Sequence, residues 1–148
     1  AYLYFEKTMN IYRKLLDSSD YRFASLYNNM ALLLSDMNRG KEAEVFFYKA
    51  LEILKDNSDT EAEAANTYVS MAHMYQSVET DPETRQIKVK EVLSEAFKIL
   101  RKNAPLPDSY FAYICGICAK SFSYFGMEKE SKELKALAED FYRKKGAE

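Results

Sequence analysis

Few residues in this chain have types and spacing that could do chemistry. Cys115 and Cys118 stand three apart, with Gly116 and Ile117 between them, a spacing shared by redox dithiols and by half of a zinc site. A reactive pair of this kind sits at an exposed helix N-terminus, where the helix dipole lowers the thiol pKa. A zinc site needs four ligands, or three and a water. No further cysteine occurs and His73 is the single histidine, so the pair is expected to pack in the core as small hydrophobes. His73 has neither a nucleophile nor a Gly-rich phosphate loop near it in sequence, which leaves no basis for a catalytic role. No catalytic residue, metal site or cofactor is expected, and the chain reads as a non-enzyme. A second set is polar. Asn28, Asn29 and Asn66 carry amides that both donate and accept hydrogen bonds, the chemistry needed to hold an extended peptide backbone.

The elements that must position these residues are repeated. Tyr27, Met30, Ala31 and Leu34 are followed by Ala43, Phe47 and Ala50; Tyr68, Met71, Ala72 and Tyr75 by Val89, Leu93 and Ala96; Cys115, Cys118, Ala119 and Phe122 by Ser131, Lys135 and Ala138. Ala31 to Ala50 and Ala119 to Ala138 both span 19 residues, and Ala72 to Ala96 spans 24. The middle copy therefore holds five extra residues, which the polar stretch Ser77–Pro82 accounts for. From one copy to the next, Ala50 to Ala72 is 22 residues and Ala96 to Ala119 is 23. Ala1–Thr8 aligns with Ala43–Ala50, so a partial copy opens the chain. Such a period marks a stack of supersecondary units rather than one closed core.

Within each copy the apolar residues recur at three- and four-residue steps, the signature of amphipathic helices. Helices are predicted at about 1–16, 20–37, 40–56, 59–77, 82–103, 108–125 and 128–145, with ends good to a few residues. Asn38–Gly40 and Phe125–Gly126 supply residues that tolerate a left-handed backbone at a helix end. Ser58–Glu61 reads as a capping box, Asp81–Pro82 as a helix start, and Pro105–Asp108 as a break. The alanines have a physical reason: two helices approach closely only where no bulky side chain parts them. Ala31, Ala50, Ala72, Ala96 and Ala119 are expected to be buried, with Tyr27, Phe47, Tyr68, Tyr75 and Phe97 filling the space between layers. The six methionines read as gap fillers.

Composition sets outer bounds. With 148 residues, 47% of them apolar and 30% charged, the chain is long enough to bury a core and is not of disordered type. Four glycines and three prolines favour helices. The net charge of −2 is interspersed, with no basic block to point to nucleic acid or an anionic membrane. Apolar runs are far shorter than a membrane span. Two cysteines give no disulfide framework, which fits a reducing cytoplasm.

The repeat resembles the tetratricopeptide repeat, and among its variants the longer-period form seen in kinesin light chain. The resemblance rests on Leu26-Tyr27-Asn28-Asn29-Met30-Ala31 through Leu34, then Gly40, Ala43, Lys49, Ala50 and Ile53. It is strong in the first full copy, good in the second and degraded in the third, where Ser131 and Lys135 replace an alanine and an aromatic. The last helix is read as a polar cap. The resemblance implies an all-α, right-handed α-solenoid of stacked antiparallel helix pairs, about seven helices in one domain. Residues 1–19 would be the second helix of a truncated repeat, 20–57 the first repeat, 58–104 the second with its insertion near 77–82, and 105–148 the third with its capping helix. It implies a cytoplasmic, non-enzymatic protein-interaction module, part of a larger bacterial or eukaryotic scaffold or regulator, whose first helices line a concave groove for a peptide or protein segment.

Subtracting the core stripe from each first helix leaves the groove face. That face is expected to hold Ser25, Asn28, Asn29, Leu32 and Asp36; then Asn66, Val69, Ser70, His73 and Gln76; then Tyr113, Gly116, Ile117, Lys120 and Tyr124. Of these, Asn28, Asn29, Asn66, Ser70, His73, Tyr113 and Lys120 are the candidate peptide contacts. The basic clamp of relatives that bind acidic C-terminal tails is missing. Its positions hold Asn28, Leu32, Tyr113 and Ile117, leaving Lys120 as the groove's one cation. An alternative function is structural: oligomerisation through an open N-terminal edge. The first helix is read as a cut face, because Tyr2, Tyr4, Phe5, Met9 and Tyr12 spread around more than one side of it. Further repeats upstream, or a second copy in a homo-oligomer, are expected to cover that edge.

Overall fold

The computed structural model of the protein describes residues 2–55, 58–103 and 108–146. They form seven α-helices: α1 Tyr2–Leu15, α2 Tyr21–Asp36, α3 Gly40–Leu54, α4 Glu61–Val78, α5 Pro82–Asn103, α6 Ser109–Tyr124 and α7 Glu128–Gly146, with a single 3-10 turn, Ser58–Thr60, before α4. No strand occurs among the described residues, and no helix among them is long and apolar enough to cross a membrane. Helices pair as α2–α3, α4–α5 and α6–α7, and the pairs stack through α4, which meets α2, α3 and α6. The fold is an all-α stack of adjacent helix pairs, as expected.

Local chemistry sets the boundaries. Asp20 and Asp108 cap α2 and α6, accepting from the backbone N–H of Arg22 at 3.0 Å and of Phe111 at 2.7 Å. Asp81 caps α5 through the backbone N–H of Thr84 at 2.9 Å, with Pro82 in the first turn, where its missing N–H costs nothing. Asn38 (φ 58°) and Gly126 (φ 80°) take the left-handed conformation that ends α2 and α6. Gly40 serves a different purpose. It opens α3 where α4 comes closest, and a Cβ there would lie 2.5 Å from Cγ2 of Val78. The expected capping box at Ser58–Glu61 depends on the Ser58 side chain, which lies outside those described; the backbone of Ser58–Thr60 forms a 3-10 turn, and the Thr60 hydroxyl donates to the Leu54 carbonyl at 2.7 Å. The proline-bounded break lies largely outside the described residues.

The five extra residues of the middle copy do not form a loop. The connectors Met37–Arg39 and Glu79–Asp81 are equally long. Measured from the alanine stripe, the additions lengthen α4 by one residue and α5 by about one turn. Extra length is cheapest here as helix, because each added residue continues an existing ladder of hydrogen bonds.

Ala31, Ala43, Ala50, Ala72, Ala96 and Ala119 are wholly buried, and Phe47, Leu34, Met71, Leu93 and Phe122 fill the layers between them. Tyr75 is buried, while Tyr27, Tyr68 and Phe97 are half-buried against the core. Met9, Met30, Met71 and Met74 pack inside; Met37, at the end of α2, is exposed. Ser131 stands where the other copies carry an apolar residue. It is buried, and its hydroxyl donates to the Ala119 carbonyl at 2.7 Å across the α6–α7 pair. That bond satisfies a polar group that would otherwise be costly in the core.

Candidate functional site

The first helices α2, α4 and α6 carry all the expected contact residues, and side chains link them in turn. Ser25 on α2 donates to the Glu63 carboxylate on α4 at 3.4 Å. On α6, burial and then the nearby Glu63 charge raise the pKa of the Tyr110 phenol. Nearer the other end, His73 Nε2 on α4 shares a hydrogen bond with Ser121 Oγ on α6 at 2.9 Å. The imidazole also rests against aromatic rings, 5.0 Å from the centroid of Phe125 and 5.7 Å from that of Tyr124. Desolvation lowers its pKa, which favours the neutral ring.

Between these links lie the amides. Asn28 is half-buried, and its Oδ1 has no hydrogen-bond partner among the described residues although the atom is out of solvent. An acceptor left so costs roughly 1–3 kcal/mol. Asn66 is half-buried one helix further on; its backbone carbonyl accepts from the Ser70 hydroxyl at 3.1 Å, so Ser70 is turned along its own helix. Tyr113, Lys120 and Tyr124 are exposed on α6, as is Leu32 on α2. Two residues depart from the expected face. Val69 is buried, because α4 has neighbours on several sides and cannot keep a wide polar face. Asn29 lines a separate cleft between α1 and α2, with Tyr4, Phe5, Thr8, Leu26, Met30 and Leu33. Face arithmetic on single helices did not pick out Glu63, Tyr110 or Ser121, the residues that bridge neighbouring helices.

Cys115 and Cys118 are buried with unbridged thiols, and desolvation pushes both thiols up to about 12. A thiol held protonated is a poor nucleophile and a poor metal ligand. Among the described residues no group of three or more His, Cys, Asp or Glu side chains is placed to hold a metal ion. What this face offers is hydrogen bonding by amides, hydroxyls and imidazole, the Lys120 cation and aromatic contact.

Comparison with protein families gives one match, to the tetratricopeptide repeat over residues 23–56. That segment runs from early α2 to the end of α3, the copy in which the repeat is most complete. Comparisons with curated proteins and with solved structures return no match. The longer-period variant noted in the sequence is consistent with the family match. The α2–α3 pair is thus similar to a tetratricopeptide repeat, a family whose members generally mediate protein–protein interaction, and it is set within an all-α stack of helix pairs.

Proposed function

We propose that this chain is a non-enzymatic interaction module that holds an extended peptide or protein segment along the face shared by α2, α4 and α6. The observation that carries the reading is the pair of cross-helix links, Ser25 to Glu63 and His73 to Ser121. They join three successive first helices into one continuous polar surface. On it, the Asn28 and Asn66 amides suit a peptide backbone, since each donates and accepts. Lys120 and the Glu63 carboxylate give the two ends of the face opposite charge, which favours a segment of mixed charge over a wholly acidic tail. Tyr113 and Tyr124 offer apolar contact for one or two side chains at little entropic cost.

A random peptide display library selected on the full chain tests this. Peptides retained by the native protein should lose at least about tenfold in affinity to Asn66→Ala with Lys120→Ala, a loss of about 1.4 kcal/mol. The unfolding free energy should stay within about 1 kcal/mol, as for surface changes. Selected peptides whose affinity ignores both substitutions would remove this face from the site.

A further inference from the structure

Two hollows occupy equivalent places in successive repeats, and they differ in charge and in lining. The first lies between the start of α3 and the end of α4, the second between the start of α5 and the connector from α6 to α7. The alanine stripe sets the correspondence, Ala50 with Ala96 on the second helices and Ala72 with Ala119 on the first. Gly40 then corresponds to Gln86, Glu44 to Lys90, Tyr75 to Phe122 and Val78 to Phe125.

The first hollow, of about 510 Å³, largely satisfies itself. Glu44 accepts from the Tyr75 hydroxyl, and Lys88 pairs with Glu79 at 3.3 Å. The Lys88 ammonium also stands 5.2 Å from the centre of the Tyr75 ring. Both carboxylates of this lining therefore have partners. The second hollow holds about 270 Å³ and repeats none of these pairs. Phe122 has no hydroxyl, and a cation, Lys90, stands where the first hollow has Glu44. Val89 and Leu93 are buried on its α5 wall, and Phe125 and Met127, both half-buried, border it from the connector.

At about 100° per residue, Arg85 and Lys90 fall on opposite sides of the row formed by Val89 and Leu93. Two cations thus flank one apolar wall, and no carboxylate lines the cleft. Neither cation is in an ion pair among the described residues. Asp81, the acid one turn before Arg85, already accepts from the Thr84 backbone N–H at 2.9 Å and from its hydroxyl at 2.6 Å. The amides of Gln76 and Gln86 add neutral donors at the rim. An anion seated here gains charge-assisted hydrogen bonds, and an apolar body beside it keeps water away and strengthens them.

We propose that the cleft at the start of α5 binds a small carboxylic acid with a compact apolar body. The body rests on Val89, Leu93, Phe125 and Met127, and the carboxylate lies between Arg85 and Lys90. The volume sets the size class. It falls below the roughly 300–1,000 Å³ of pockets that hold drug-sized ligands, so the occupant is about one ring in size. A free acid reaches both cations within that space, whereas a protein segment must bring its backbone there as well. Arg85 and Lys90 belong to α5 and not to the first helices, so this site stands apart from the function proposed above.

Titration of the isotope-labelled full chain with hydrocinnamate, and separately with its neutral amide hydrocinnamide, tests the proposal at neutral pH. The acid should shift the backbone amides of Gln86, Val89, Lys90, Phe125 and Met127 saturably, with a Kd of about 1 mM or tighter, within reach of a ligand this small. The amides of Gly40, Glu44 and Val78 at the first hollow should stay unmoved. Hydrocinnamide should bind at least about tenfold more weakly, and Arg85→Gln with Lys90→Gln should weaken the acid by at least as much. Lys90→Arg should keep the binding. Spectra unchanged outside the cleft show that these variants fold. No saturable shift at several times that concentration would overturn the proposal, as would equal binding of acid and amide, indifference to both glutamines, or equal shifts at the two hollows. So would an acetylated and amidated Phe-Glu dipeptide that binds more tightly than the acid, which would assign the cleft to a protein segment.

Discussion

The two ends of the stack are built from helices in equivalent repeat positions, yet they meet solvent in opposite ways. On α1, Leu3, Tyr4, Ile11 and Leu15 are exposed; on α7 the outward side chains are mostly Lys and Glu, with Tyr142 the one large exposed apolar residue. The inward stripes do not differ in kind. Phe5, Met9 and Tyr12 point to the body from one end, and Leu134 and Ala138 from the other. What distinguishes α1 from α7 is the composition of the second face. Ion pairs contribute little to that difference. The Asp140 carboxylate pairs with Lys144 at 3.1 Å and with Arg143, but all three side chains are well exposed, and such pairs are worth about 0–1 kcal/mol.

Substitutions at both ends and in the body of the stack test how each is held, with the largest expected effect first. Phe122→Ala, on α6, empties a fully buried ring that packs beside Phe97, and should cost about 3–5 kcal/mol in denaturant unfolding. Tyr4→Ala, at an exposed position of α1, should stay within about 0.5 kcal/mol; a cost near that of a buried aromatic would mean this side of α1 is covered in solution. Gly40→Ala should cost about 1–3 kcal/mol through the clash with Val78. Val78→Ala in the same chain should recover part of that loss, and additivity in the double mutant would refute the contact. Ser131→Ala removes the hydroxyl that donates to the Ala119 carbonyl and should cost about 1 kcal/mol. Smallest is a pH effect at Asp20, whose carboxyl is held down to about 2, chiefly by the side chain of Arg22 and then by its backbone N–H. A pKa depressed in the folded state gives stability that is present above the ordinary value of 3.8 and is lost as pH falls towards 2. Asp20→Asn keeps the cap but has no charge to titrate, so its acid unfolding should be flatter through that window.

The helical stack was legible because its cause is periodic. Apolar residues at three and four steps, and alanines at matching intervals, are properties of the chain that survive without coordinates, and all seven helices followed from them. The bounds of α5 were legible too, 82–103 expected and Pro82–Asn103 found, because Asp81 followed by Pro82 marks a helix start where the polar residues around it leave no hydrophobic pattern. On the candidate face, Asn28, Asn66, His73, Tyr113 and Lys120 came from the geometry of single helices. Glu63 and Ser121 could not, because which residue meets its neighbour depends on how far one repeat is displaced along the next, and no single-helix pattern records that offset. Val69 failed for a related reason: its burial comes from the number of helices packed around α4 and not from its own position on the helix.

The measurement that bears most directly on the central claim is backbone amide shift mapping of the labelled chain with one peptide selected from a random library. Perturbations should run across α2, α4 and α6 through Asn28, Asn66, His73 and Lys120, and should shrink together in the Asn66→Ala, Lys120→Ala protein. Perturbations confined to α3, α5 and α7, or unchanged by the two substitutions, would contradict the claim.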